Sequence, residues 1–301
     1  MNVIGKKYWY FLISLAVLVP GLISLFLFGL NLSIDFTGGT RLTLSYPTAV
    51  ADQQVNLVRK TIEDQKVKVS VIEKSGKFLF VRTSPMDQKQ DALFVETIKT
   101  KDSLVKQEEF ETIGPTIGAE TTQNAIKAVA ISSLLVVIYI SYIFRKVPRP
   151  ASSIRFGVST IIALLHDVFV VLGVFSLLGH FFHVEVDSLF ITALLTVIGF
   201  SVHDTIVVFD RIRENLTRSG ALSFEKVVND SILQTLGRSL NTSLTVVLVL
   251  FALLIFGGES IRWFVVALLV GVISGTYSSI FNASPILVVW HQWSQKRKSK
   301  S

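Results

Sequence analysis

SLFITALLTVIGFSVHDTIVVFD, residues 188–210, is an almost unbroken apolar run with one carboxylate, Asp204, in its interior. About twenty apolar residues in a helix are enough to cross the hydrocarbon core of a bilayer. An ionisable group held there is costly unless it is paired or hydrated, so its default reading is a proton or ion relay. The stretch therefore points both to a membrane helix and to a candidate site within it.

The rest of the chain agrees with the first of these readings. Half of its 301 residues are hydrophobic and 17% are charged, with a mean hydropathy of +0.56; soluble domains carry about a quarter charged residues. Further apolar runs cover Tyr8–Leu30, Ala125–Phe144, Phe156–Leu178, Ser239–Phe256 and Trp263–Val289, which with 188–210 predicts six spans. The first follows Lys6-Lys7 and is too long for the apolar core of a signal peptide, with no convincing small-x-small cleavage pattern before Asn31. It reads as a retained span. With no cysteine in the chain, disulfides, thiolate metal sites and cysteine nucleophiles are excluded.

Charge sets the expected orientation. The polar region 31–123 holds twelve basic and thirteen acidic residues, so the net +7 of the chain arises elsewhere. The surplus sits beside apolar runs: at Lys6-Lys7, at Arg145-Lys146 with Arg149 and Arg155, from Arg211 to Lys226, and from Lys296 to Lys300. The alternate loops carry Glu185, Asp187 and Glu259 instead. Such a bias reads as topology next to membrane lipid rather than as a nucleic-acid surface, and puts both termini in the cytoplasm.

The predicted organisation is a first span over 1–30, an exported domain over 31–123, a five-span domain over 124–292 and a basic cytoplasmic tail over 293–301. In the exported domain, Thr40–Tyr46, Val67–Ile72, Phe78–Thr83 and Glu109–Ile113 read as strands, with Thr48–Asp64 and Gln88–Leu104 as helices. The order βαββαβ predicts a ferredoxin-like α/β sandwich. Within the five-span domain, 211–236 is amphipathic and is expected to lie along the cytoplasmic membrane surface.

Several further residues bear on a site. Asp204 lies six residues inside Asp210, about 9 Å along a helix. Arg238 enters the next span to a similar depth, so the two charges are candidate partners. His166-Asp167 and His203-Asp204 are two His-Asp dipeptides in adjacent spans. Imidazole and carboxylate are zinc ligands, but adjacent helical residues point about 100° apart, and the i, i+4 zincin spacing is absent. A polar relay or helix–helix hydrogen bonding is the better reading, with no metal. NLSIDFTGGT (31–40) closes the first span, and Gly38 and Gly39 permit unusual backbone turns or close approach. With Asp35, which reads equally as a helix-boundary or a loop carboxylate, they form a candidate hinge or interface before the first strand. Gly271 and Gly275, followed by serines, form a stripe suited to close helix packing.

SIDFTGGT (33–40), IGPTIGAE (113–120), ALLHDV (163–168), VIGFSVHDTIVVFDRIREN (197–215), GRSLNTSLT (237–245) and SGTYSSIFNASPIL (274–287) occur in this order. Together they resemble the SecF family, the smaller membrane subunits of the bacterial SecDF protein-secretion complex. The resemblance covers most of the chain and implies a six-span half of an RND-type transporter in the bacterial inner membrane. It implies that Asp204 carries the proton with Arg238 as its partner, and that His166 and Asp167 belong to the same polar cluster. His203 stands where the common family pattern has Asn and adds a titratable neighbour. Members have no enzymatic activity and no cofactor. They use the proton-motive force to promote export of unfolded polypeptides on the outer side, with SecD, the SecYEG channel and SecA as partners and YajC as a further one. The nearest rival reading is an RND-like proton-coupled exporter of lipids or small molecules.

Overall fold

The computed structural model describes residues 2–148, 152–218 and 222–298. Arg149 of the predicted basic clusters, and the last three residues of the basic tail with Lys300 among them, lie outside these. Two compact units emerge, one of residues 32–126 and one of residues 1–31 with 127–301.

In the smaller unit a short helix, α2 (Ile34–Thr37), leads into β1 (Gly39–Ser45), α3 (Asp52–Glu63), β2 (Val69–Ser75), β3 (Phe78–Thr83), α4 (Gln88–Lys101) and β4 (Lys106–Ile113). The strands form one antiparallel sheet in the order β2-β3-β1-β4, the ferredoxin-like arrangement that the βαββαβ pattern predicts. Alternation aims Leu42, Leu44, Leu79 and Val81 at the helices, where Val58, Ile62, Phe94 and Ile98 meet them in a buried core. α4 begins where the sequence places it because Asp87 accepts from Gln90 N at 2.8 Å and Gln90 Oε1 accepts from Asp87 N at 3.0 Å, a reciprocal cap. α3 begins four residues later than expected. Tyr46 N and Val50 N donate to Lys77 O and Gly76 O, which pins the segment after Pro47 to the β2–β3 turn and postpones the helix.

The larger unit contains α1 (Lys7–Phe28), the continuation of α5 (Pro115–Ile143), α6 (Ser153–Phe182), α7 (Ser188–Arg218), α8 (Phe224–Phe256), α9 (Arg262–Ser278) and α10 (Ser284–Lys298). Among the described residues six helical runs are long and apolar enough to cross a membrane, with α9 and α10 joined in the last. The chain is thus a multi-pass membrane protein with a small α/β domain. α6, α7 and the last run form the buried centre, while few residues in the apolar windows of α1, α5 and α8 are buried within the chain.

Glycines set the closest crossings. A Cβ on Gly271 would fall 2.0 Å from Val197 Cγ2, and one on Gly275 would fall 3.0 Å from Ser201 Cβ, so the Gly271/Gly275 pair seats α9 directly on α7. A second crossing was not read from the sequence. Gly21 of α1 and Gly173 of α6 meet backbone to backbone, a Cβ on the latter lying 2.6 Å from Gly21 Cα. One turn on, the Ser24 and Ser176 hydroxyls bond at 2.8 Å. At the far end of α5, the rings of Phe144, Phe156 and Phe209 tie α5 to α6 and α7 at centroid distances of 4.8 to 5.9 Å.

Two spans differ from expectation. Residues 211–218 and 224–236 do not form a separate helix. They are the end of α7 and the start of α8, bound to each other through Arg211 Nε to Gln234 Oε1 (2.6 Å) and Asn215 Nδ2 to Ser231 Oγ (2.8 Å). Their apolar residues Val227, Val228 and Ile232 are buried in protein rather than in lipid, because a second amphipathic helix covers them. At 33 residues, α8 is about 50 Å long, well beyond a hydrocarbon core of about 30 Å. The last span is interrupted by a π-helical turn, Ser279–Ala283. Pro285 follows two residues after its end; lacking an N–H, it cannot bond the carbonyl four residues back, and a widened turn accommodates that loss.

Candidate functional site

Asp204 faces the centre of the helix bundle and is 2% exposed. Its neighbour His203 lies about 100° round the same helix and is exposed on the surface of the chain, so adjacency in sequence does not bring the imidazole into the site. What reaches Asp204 is a hydroxyl from α8: Ser243 Oγ donates to Asp204 Oδ2 at 3.3 Å, a long contact for this type of bond. Behind it, Thr276 Oγ1 of α9 donates to Ser243 Oγ at 2.7 Å. Three helices therefore meet at one buried carboxylate through a two-hydroxyl chain.

Asp167 of α6 is 1% exposed and is held quite differently. Ser201 of α7 donates to its Oδ2 at 2.5 Å, Ser278 of α9 to the same oxygen at 2.6 Å, and Ser274 of α9 to Oδ1 at 2.8 Å. His166 Nδ1 lies 3.0 Å from Oδ1. A carboxylate with this many donors is well compensated for burial. Next to it, Ser279 Oγ sits 2.8 Å from Thr205 Oγ1 and donates to Ser201 O at 3.0 Å. The two buried acids thus lie in one hydroxyl-rich seam between α6, α7, α8 and α9.

Arg238 does not join them. Its side chain is exposed on α8, and within the described residues it forms no ion pair with Asp204. The reason is helical phase. Ser243, which does reach Asp204, is five residues further along, so Arg238 points about 140° away from it. Equal depth in two neighbouring helices sets the height of the charges but not the faces that carry them. Among the described residues no group of three or more His, Cys, Asp or Glu side chains is placed to hold a metal ion.

The glycine pair also departs from a free hinge. Gly38 has φ +70° and Gly39 φ +131°, values that favour glycine, but both are tightly enclosed. A Cβ on Gly38 would lie 2.9 Å from Pro115 Cα, and one on Gly39 would lie 2.7 Å from Thr83 O. Gly118 completes the contact, its Cβ position falling 2.8 Å from Gly38 N. These glycines let the entry to β1 and the first turn of α5 press together. Asp35 stands in the first turn of α2, where its backbone N donates to Ser33 Oγ at 3.2 Å.

Sequence reading missed Ser201, Ser243 and Thr276 among the seam's hydroxyls, and took Ser274, Ser278 and Ser279 only as part of a packing stripe. The available signal was their concentration in SGTYSS (274–279) and NTS (241–243) within otherwise apolar spans.

Comparison with known proteins places this geometry. Residues 94–293 match the family described as "Protein export membrane protein SecD/SecF, C-terminal", and residues 23–50 match the "SecD/SecF GG Motif". The chain is 44% identical over 300 residues to the protein translocase subunit SecF of Thermobaculum terrenum, covering 96% of this chain and 94% of that one. It is 36% identical over 300 residues to the protein translocase subunit SecDF of Bacillus subtilis, covering 98% of this chain and 39% of the relative. The crystal structure of SecDF from Thermus thermophilus, described as a translocon-associated membrane protein, superposes with a TM-score of 0.82 at 36% identity, over 96% of this chain and 38% of that chain.

Proposed function

The chain belongs to the SecD/SecF family of protein-export membrane proteins, and we propose that it couples the proton-motive force to polypeptide export through Asp204. The observation that carries this reading is a carboxylate 2% exposed within a bundle of membrane spans and met, among the described residues, by one long hydrogen bond from Ser243, with the Thr276 hydroxyl close behind. A group so weakly held exchanges a proton at a far smaller structural cost than Asp167, whose oxygens are saturated with donors. One elementary charge crossing 100 mV is worth about 2.3 kcal/mol, enough to bias a two-state motion of the exported domain.

A SecD-type chain is the expected second half. The Bacillus subtilis and Thermus thermophilus relatives carry more than this chain spans, and sites of this type form between transporter repeats. The exposed face of α8, with Arg238 on it, is where such a half brings its own groups toward Asp204. By the same reading the protein works in the inner membrane with both termini in the cytoplasm, beside SecYEG, SecA and YajC. It acts on unfolded polypeptides as they emerge, and its energy comes from the proton gradient rather than from a cofactor or a covalent reaction.

Asp204→Asn tests the reading. Asn is nearly isosteric and can still accept from Ser243 but cannot carry a proton. The variant is expected at normal abundance, assembled with its partner, and without proton-driven stimulation of secretion in membrane vesicles. Stimulation at the wild-type level would end the proposal.

A further inference from the structure

The two hydroxyls behind Asp204 each have a choice of acceptor. Ser243 Oγ stands 3.3 Å from Asp204 Oδ2 and 2.9 Å from the Ser239 carbonyl of its own helix. Thr276 Oγ1 stands 2.7 Å from Ser243 Oγ and 2.8 Å from the Val272 carbonyl of its own helix. A hydroxyl has one proton and two lone pairs, so each can donate across the interface or back into its helix, but not both at once. We propose that Ser243 is a positioning residue that passes the protonation state of Asp204 to α9 through Thr276.

The switch follows from the inventory of donors. Ionised Asp204 only accepts, so Ser243 gives it a proton and receives one from Thr276. Once Asp204 is protonated its own O–H becomes the donor, and Ser243 turns its proton to Ser239 O. Ser243 then has to seat the Asp204 proton beside that of Thr276, and Thr276 can withdraw to Val272 O. Neither the Ser243 nor the Thr276 hydroxyl is left without an acceptor in either arrangement, which keeps the two close in energy. Of the other ionisable groups, His203 stands on the adjacent residue of α7 and its charge acts on Asp204, whereas Arg238 is exposed and His166 and Asp167 bond to one another. On α9 the one titratable side chain past its first turn is Tyr277, whose hydroxyl donates to Tyr10 O.

α9 is suited to respond. Ser274 and Ser278 fix one face of it to Asp167. Thr276 lies two residues from each, so it points about 200° round, to the opposite face. α9 is thus anchored to one buried carboxylate and connected to the other by a reversible contact.

This inference rests on the reading that Asp204 carries a proton, and the experiment separates the two. Proton-driven secretion is measured against pH in vesicles holding the chain assembled with its partner, at matched abundance. The variants are Ser243→Ala, Ser243→Thr, Thr276→Val and Thr276→Ser. Loss of the hydroxyl that donates to the ionised acid should move the midpoint of the profile for Ser243→Ala about one pH unit upward, a tenfold change in proton concentration. Ser243→Thr, which keeps the hydroxyl, should restore the wild-type midpoint. Thr276→Val should lower stimulation about fivefold, with recovery in Thr276→Ser. If Ser243→Ala does not assemble, the isosteric Thr276→Val carries the test alone. A wild-type midpoint for Ser243→Ala, wild-type stimulation for Thr276→Val, or hydroxyl-bearing variants as impaired as those lacking the hydroxyl would overturn the inference. With Asp204→Asn inactive, those results leave the parent reading standing; an active Asp204→Asn removes both.

Discussion

Gly271→Ala offers the sharpest test of how the polar seam is assembled. The added Cβ would lie 2.0 Å from Val197 Cγ2, 2.7 Å from Cγ1 and 2.9 Å from Cβ. Turning Val197 to another rotamer moves its methyls but not its Cβ. Carbon atoms rest at about 3.5–4.0 Å, so α9 must move off α7 by roughly 0.6–1 Å. The Ser279–Thr205 contact at 2.8 Å and the Ser279–Ser201 O bond at 3.0 Å cross the same helix pair, and that shift stretches them beyond useful length. Overpacking costs about 1–3 kcal/mol and each of the two neutral hydrogen bonds about 1 kcal/mol, giving a loss of about 3–5 kcal/mol. On the scale of domains of this size, the melting temperature should fall by roughly 6–20 °C, read by thermal unfolding in detergent. Val197→Ala removes both methyls, so the double variant should recover part of the loss, with a coupling of at least about 1 kcal/mol. Gly271→Ala melting within a degree of wild type, or strictly additive losses in the double variant, would refute the close α7–α9 crossing.

Two further outcomes concern the small α/β domain. Gly39→Ala should destabilise it by about 2 kcal/mol or more, since φ is +131° and the new Cβ would meet Thr83 O at 2.7 Å; unchanged proteolytic resistance of the domain would count against this. Burial first, and then the Asp102 carboxylate, pushes the Tyr46 phenol up from 10.0 to about 12. The fold favours the neutral phenol, so this contribution to stability is full below about pH 10 and is lost as pH rises through about 12. The tyrosinate absorbance missing from a Tyr46→Phe variant should therefore appear near pH 12, and a midpoint at the ordinary value would contradict the burial.

The fold was legible because its signals are periodic and repeated. Long apolar runs give the spans, and the alternation at Leu42, Leu44, Leu79 and Val81 gives the sheet face. Boundaries were less legible where backbone contacts distant in sequence decide them, as at Val50, held by Gly76 O. The hairpin at the α7–α8 ends shows a different failure. An amphipathic pattern states that one face seeks an apolar surface, and Val227, Val228 and Ile232 are satisfied equally by lipid or by another helix. Only the partner chosen in three dimensions, through Arg211–Gln234 and Asn215–Ser231, separates the two.

The site was legible in its carboxylates and not in what holds them. Asp167 and Asp204 stand out because charge is rare in apolar spans, and the same reasoning selects Arg238 as the partner. Serine and threonine carry no such signal. In a membrane helix their hydroxyls commonly bond a carbonyl one turn back, as Ser243 does to Ser239 O and Thr276 does to Val272 O, and a residue so satisfied looks inert. Helical phase resolves the ambiguity. With Ser243 inward, Arg238 must point outward, which leaves the acid and the base of this chain on different faces of the same helix pair. A charge pair closed within one chain would hold Asp204 ionised whatever its surroundings. Hydroxyls, which both donate and accept, let it take either form, and they leave Arg238 on a surface where a second half can bring the charge to bear or withdraw it.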